Sequence, residues 1–376
     1  MRRIAAHYTL IGSRLERNMI VDVDSSRRIV AIEQVSALDN HAGVEFYPGI
    51  LIPGMVNLHC HLELSYLHNK IAERSGFAGF AREIGALRNN FTHGERRHAA
   101  SVADSTMWEE GIEAVLDIAN DELIMDIKRR SNIKYETLFE VFGLGCSTVD
   151  NHRNMAKHHD SSSITPHSTY SLQDKIFRES AHDNTSTISL HLLESDDEIE
   201  LYDSRGSLAE WYKRMGWECD FLHYGSPARR VIESIDADRR VVLAHGCKAT
   251  KEDITMLNMH FTNDVTWALC PESNRYISDS KPPVELFRSM GAHIALGTDS
   301  LASARSLSLI DNMRLIEDVP LTEMLQWVTI NGAKALGMEH TLGEIAIGKT
   351  PGLVLLESID LHNLSLTSTS RSRRIL

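Results

Sequence analysis

The chain is 376 residues long, 42% hydrophobic and 24% charged, and its 39 Lys+Arg against 52 Asp+Glu leave a net charge of −13. That length and apolar content sustain a sizeable core, as two small domains or one large barrel with an appendage, and exclude a disordered chain. The acidic balance argues against a general nucleic-acid binder, no run reaches the roughly 18 apolar residues of a membrane span, and the opening MRRIAAHYTLIGSRLER lacks a leader's apolar core, so a cytoplasmic protein is expected.

In chain order, residues 2–50 read as short alternating strands, among them Tyr8–Gly12 and, behind the turn-prone Asp24-Ser25-Ser26, Arg28–Ile32. From Leu51 the pattern changes to apolar runs that each close on polar or ionisable residues. There are eight: Leu51–His59, Ala114–Asn120, Thr137–Gly143, Ser163–His167, Thr187–Glu194, Arg240–His245, Val265–Cys270 and His293–Asp299. Between them Phe77, Phe80, Ile84, Leu87 and Phe91, and later Leu321, Leu325, Val328 and Leu336, follow amphipathic-helix spacing. Strands buried on both faces and alternating with helices predict a parallel sheet, here an α/β fold of the (β/α)8 TIM-barrel kind, with reactive groups at the C-terminal strand ends. Gly348–Leu356 reads as a turn and a strand returning to the N-terminal β layer, and the basic Arg371-Ser372-Arg373-Arg374 is expected to fray in solvent.

The five cysteines, Cys60, Cys146, Cys219, Cys247 and Cys270, are an odd number without a CxxC, so neither a disulfide framework nor a thiolate zinc site is expected. The 19 histidines are informative through their placement. His59-Cys60-His61 closes the first run, and residues two apart on a strand point the same way, so both imidazoles reach one metal ion at a barrel mouth. Taken alone, this motif equally fits two polar residues ending a strand. His167, His191, His245 and Asp299 change that balance, because they end the fourth, fifth, sixth and eighth runs and would converge on the same mouth. Three imidazoles and a carboxylate suit zinc or ferrous iron with a position left open for water, whereas calcium or magnesium requires more oxygen ligands.

The segments Pro53–His61, His191–Glu194, Leu243–Gly246, Cys270–Asn274, Gly297–Ser303 and Asn331–Gly337 together resemble the amidohydrolase superfamily, in its mononuclear cytosine-deaminase/chlorohydrolase-like branch. The resemblance implies a metal-dependent hydrolase barrel at residues 51–342, with a small β-sandwich formed by both chain ends, 1–50 and 343–376. It implies His59, His61, His191 and Asp299 as ligands of one divalent metal, zinc or alternatively iron. Binuclear relatives place a bridging lysine at the end of strand four, and Ile164–Leu172 contains none. Glu194, His245 and Asp299 are implied as catalytic groups acting with metal-activated water. Glu194 would shuttle a proton to a ring nitrogen. His245 would steady the developing tetrahedral centre. Each has a plainer alternative: Glu194 as the head of an acidic surface run, His245 as a fourth imidazole ligand, and Asp299 as a helix N-cap.

His167, Glu63, Asn274 and Arg305 are the substrate-binding candidates, with Ser65, Asn120 and Glu140 also at strand ends. His167 equally fits a hydrogen-bonded strand-end histidine, and Arg305 a surface ion pair. Phe77, Phe80, Arg82 and Arg88 would form a lid, although ordinary helix core is expected for the two aromatics. The expected reaction is hydrolytic deamination of an amino-substituted N-heterocycle or nucleoside-like small molecule. His61–Tyr66 and Phe139–Gly143 resemble a subgroup that includes aminodeoxyfutalosine deaminases. The alternatives are a chlorohydrolase or cyclic-amide hydrolase using the same site, or a catalytically inactive barrel scaffold. Homo-oligomerisation is implied by the resemblance alone.

Overall fold

The computed structural model describes residues 1–36, 42–145, 147–263 and 265–376. Cys146 lies outside these, so the cysteine reading extends to Cys60, Cys219, Cys247 and Cys270, all free thiols.

Five strands open the chain: β1 (Arg2–Ile11), β2 (Arg14–Glu16), β3 (Met19–Val23), β4 (Ile29–Gln34) and β5 (Val44–Pro53). Eight follow, one in each apolar run: β6 (Met55–Cys60), β7 (Ile112–Ala119), β8 (Lys134–Val141), β9 (Ser162–Pro166), β10 (Ile188–Leu192), β11 (Val241–His245), β12 (Thr266–Leu269) and β13 (His293–Leu296). They form two four-stranded parallel sheets, β6-β7-β8-β9 and β10-β11-β12-β13, with helices between successive strands. The chain is therefore α/β with parallel sheets. Every residue of β6, β7, β10, β11 and β12 is buried, as expected of strands covered on both faces.

The first apolar run divides. Leu51–Pro53 completes β5, which pairs in parallel with β1, and the chain restarts as β6 after Gly54. A side chain at Gly54 would meet the Glu113 Cγ at 2.1 Å and the Pro351 carbonyl at 2.5 Å, so the crossover requires glycine. The segment at 321–336 is likewise two helices, Leu321–Trp327 and Ile330–Ala335.

Both chain ends enter one seven-stranded sheet, ordered β15-β14-β5-β1-β3-β4 with β2 on β1, where β14 is Leu353–Glu357 and β15 is Arg371–Arg374. The expected fraying of the basic tail is thus corrected. Arg371 and Arg373 share Glu357, while Arg374 lies over the Trp108 ring at 3.3 Å and pairs with the buried Glu113. Strand alternation puts Arg371 and Arg373 on one face, over Glu357, and Arg374 on the other, over Trp108 and Glu113.

β7 also buries Asp117, whose carboxylate pairs with Lys128 and accepts the Leu62 N–H at 2.8 Å, directly after His61. Lys128→Met is expected to destabilise the fold by about 3–5 kcal/mol, because Asp117 then stays buried without its counter-charge. Urea unfolding measures the loss directly, and a change under about 1 kcal/mol would show that the pair contributes no more than a surface bridge. Among the described residues, no helix is long and apolar enough to cross a membrane.

Candidate metal centre and catalytic cleft

The two parallel sheets meet at the C-terminal ends of their edge strands. On one side the His191 N–H donates to the His167 carbonyl at 2.9 Å; on the other the Asp299 N–H donates to the His59 carbonyl at 2.9 Å and the His61 N–H to the Asp299 carbonyl at 3.3 Å. The expected metal-ligating residues therefore sit on the seams, where backbone pairing fixes their spacing.

His59 is fully buried, its ring centroid 5.0 Å from that of His61, 4.8 Å from that of His191 and 5.5 Å from that of His245. Neither of its ring nitrogens has a hydrogen-bond partner. His61 Nε2 stands 3.3 Å from His191 Nε2 and 3.5 Å from Asp299 Oδ1. His191 Nδ1 lies 3.0 Å from the His167 carbonyl, which can only accept, so the His191 proton sits on Nδ1 and the Nε2 lone pair faces His61. Asp299 Oδ2 is taken by the hydroxyls of Ser273 at 2.5 Å and Ser303 at 2.9 Å, leaving Oδ1 for the cluster.

The candidate ligand atoms fall into overlapping sets, His59–His191–His245, His59–His61–Asp299 and His61–Glu140–His191, each within 4.8 Å. Burial, then the neighbouring imidazoles, hold His59 and His191 well below the usual histidine range, which keeps them neutral and able to ligate. Burial works against the charge on Asp299 too, but His61, His245 and the Ser273 hydroxyl outweigh it and the carboxyl lies below its ordinary range. Orphaned buried nitrogens, a His191 lone pair turned towards His61 and one ionised carboxylate together fit a divalent transition-metal ion.

Beside this cluster, Leu193, His245 and Asp299 take left-handed backbone angles, with φ of 53°, 75° and 59°, as the chain turns off its strands. The cost of such angles in residues with side chains concentrates at functional sites. Glu194 is pushed up to about 8 by burial and then by Asp299, and its Oε1 lies 3.9 Å from His245 Nε2. Asn274 Nδ2 donates to His245 Nδ1 at 2.8 Å, so the His245 proton sits on Nε2, facing Glu194. Burial holds His245 down to about 4.

The cluster floors a cavity of about 380 Å³. Phe77, Phe80 and Ile84 of the helix Gly76–Leu87 form one wall, and Trp211 and Tyr212 of the helix Gly206–Met215, with Trp217, another. The two phenylalanines therefore face the cavity, where ordinary helix core was expected. His167 and Glu140 also line it, with His167 Nδ1 2.9 Å from the Ser168 hydroxyl.

Three expected substrate contacts are not brought to the cavity. Glu63 is buried and bonded to the backbone N–H and side-chain amide of Asn120, both at 2.9 Å, so it braces the end of β7. Asn274 serves His245 rather than the cavity wall. Arg305 is exposed and pairs with Glu73 at 2.8 Å, held away by an ion pair between segments distant in sequence. Conversely, Tyr170, Trp211, Tyr212 and Trp217 line the cavity without having been singled out; the last three carry a sequence signal in the density of aromatics at 211–217, and Tyr170 carries none.

Comparison with known proteins gives a consistent picture. An adenosine deaminase of Helicobacter pylori is 26% identical over 83% of this chain and 80% of its own length. A 5-methylthioadenosine/S-adenosylhomocysteine deaminase of Halobacterium salinarum is 23% identical over 90% of this chain and 80% of its own. Helicobacter pylori aminofutalosine deaminase in complex with methylthio-coformycin superposes with a TM-score of 0.81 at 24% identity, covering 98% of this chain and 94% of that one. Atrazine chlorohydrolase TrzN from Arthrobacter aurescens, complexed with zinc, has a TM-score of 0.74 at 18% identity, covering 94% and 86%. These two likenesses establish a shared fold. The profile of the amidohydrolase family matches residues 50–375, and the chain belongs to that family.

Proposed function

We propose that the protein is a hydrolytic deaminase of 6-aminopurine nucleosides whose 5′ substituent is largely apolar, dependent on one divalent metal, zinc or alternatively iron. Its family and its deaminase-named relatives already mark it as a hydrolase of carbon–nitrogen bonds. The backbone bonds at both seams support reading the two sheets as a (β/α)8 barrel over 51–342, with 1–50 and 343–376 contributing the seven-stranded sheet in place of the expected β-sandwich.

The observation that carries the reading is Glu194, a buried carboxyl that keeps its proton near neutral pH and faces an imidazole cluster. Deamination joins a water oxygen to the ring carbon and breaks the carbon–amine bond, and both events need protons moved over short distances. His59, His61, His191 and Asp299 would hold the metal, which when bound supplies a Lewis acid that lowers the pKa of water towards about 7. Glu194 donates its proton to the ring nitrogen next to the amino-bearing carbon, making that carbon electrophilic, and then returns a water-derived proton to the departing amine. Asp299, ionised, accepts a proton from the attacking water. His245 Nε2–H points at the charge that develops on the tetrahedral carbon's oxygen. The aromatic walls exclude water from the base and pack against the 5′ substituent.

Arg88 adds a finer distinction. It lines the same cavity, follows the helix Gly76–Leu87 and has no carboxylate partner among the described residues, which favours a 5′ arm that ends in an anion. Ammonia release by the zinc- or iron-loaded protein tests both levels, across adenosine, 5′-methylthioadenosine, 5′-deoxyadenosine, a carboxylate-armed analogue, cytosine and a chlorotriazine. Conversion of the apolar-armed nucleosides in preference to cytosine is expected, with the carboxylate-armed analogue best. Chloride release without ammonia would replace the reading by dechlorination, and failure to retain metal would leave an inactive scaffold.

A further inference from the structure

We propose that Glu198 is a positioning residue for Glu194: its buried carboxylate accepts the Glu194 N–H and so holds the turn that aims the Glu194 side chain into the cavity. The proposal rests on the deaminase reading above. Glu198 lies in the first turn of the helix Asp196–Tyr202, whose N-cap Ser195 already accepts the Glu198 N–H at 3.4 Å. A glutamate at this position ordinarily reaches back to the N–H of the N-cap residue and closes a capping box. Here it reaches one residue further. Oε2 takes the Glu194 N–H at 3.0 Å. Leu193, the residue before, is left-handed, and the Glu198 carboxylate closes the turn it makes.

The second oxygen is pinned as well. Oε1 accepts the Thr169 hydroxyl at 2.7 Å, and the Thr169 carbonyl is held by the Tyr202 hydroxyl at 2.9 Å and by Arg230 Nη1 at 2.7 Å. Arg230 is itself buried, with Phe177 and Phe221 at 4.5 and 4.1 Å from its guanidinium carbon. A line of buried bonds thus runs from Arg230 through Thr169 and Glu198 to the backbone of Glu194. Glu198 has no exposed surface and does not line the cavity, so substrate contact does not explain it. Helix capping does not either, since Ser195 performs it.

The test compares Glu198→Ala and Glu198→Gln in the metal-loaded enzyme. The Gln amide offers an oxygen to the Glu194 N–H and an NH2 to the Thr169 hydroxyl, whereas Ala offers neither. Ala is expected to lower kcat about tenfold to a hundredfold, with KM within about threefold and metal content unchanged, and Gln to recover kcat to within about threefold of the native enzyme. A coformycin-type ligand, whose ring carries a tetrahedral carbinol carbon, gives a readout without turnover. Its Kd should rise in the Ala variant by the factor by which kcat falls, while the Kd of the deaminated nucleoside stays put. A lower Tm with kcat per folded, metal-loaded molecule and both Kd values unchanged overturns the proposal. If the native enzyme neither releases ammonia from nucleosides nor binds the coformycin-type ligand, the deaminase reading falls and takes this inference with it.

Discussion

Glu194→Gln is expected to lower kcat by roughly a thousandfold to ten-thousandfold, with metal content and fold retained. The amide matches the carboxyl in size and still reaches His245, so the loss isolates proton transfer from packing. Burial, reinforced by Asp299, gives Glu194 a pKa near 8 in the fold against an ordinary value of 4.5. That difference has a signature in stability. Below about pH 4.5 the carboxyl is protonated whether the chain is folded or not, and it costs nothing. As pH rises towards 8 the unfolded chain ionises freely while the folded one resists, and stability drains away. The metal-free Gln variant should therefore match the metal-free native protein near pH 4.5 and exceed it by about a few kcal/mol above pH 8. Urea unfolding at the two pH values measures this. Equal stability at both would mean that Glu194 is hydrated, and its role as a neutral proton donor would go with that.

The parts of this site that sequence reveals are those whose position follows from local repetition. Each of the eight buried runs ends where a parallel strand ends, and in such a fold strand ends converge. His59, His61, His191, His245 and Asp299 are consequently legible without any knowledge of tertiary contacts, and all five line or floor one cleft. Residues whose direction depends on a distant partner are not legible. Arg305 follows the Asp299 loop in sequence but is drawn outward by Glu73, more than 200 positions away. Glu63 lies two residues after His61, yet the turn Leu62–Leu67 rotates it towards Asn120. The tail's arginines look like solvated charge until Glu357, Glu113 and Trp108 are brought beside them. Glu198 is hidden in an acidic run for the same reason, because nothing local distinguishes a carboxylate that folds back onto Glu194 from its solvated neighbours.

His59→Ala is expected to reduce bound metal below about a tenth of an equivalent and activity on the order of ten-thousandfold or more, because water at neutral pH is a weak nucleophile without the cation. The stability consequences decide whether this is loss of a ligand or damage to the core. In the metal-free protein both His59 ring nitrogens are buried without partners, a penalty of about 1–3 kcal/mol that the substitution removes. Against this, truncation leaves a cavity between β6 and the neighbouring imidazoles, with a cost of the same order. The two effects oppose, so metal-free native and variant proteins should unfold at similar urea concentrations. Zinc then separates them. At a hundred times its Kd a ligand that binds only the folded state stabilises it by about 2.7 kcal/mol, and that increment should appear in the native protein and vanish in the variant. His167→Ala is the matching control: His167 lines the same cavity, but its Nδ1 is engaged with the Ser168 and Ser171 hydroxyls, so the metal and its stabilisation should survive. A His59→Ala protein that still took up stoichiometric zinc and still gained the full increment would place the metal elsewhere, and the orphaned nitrogens of His59 would then need another explanation.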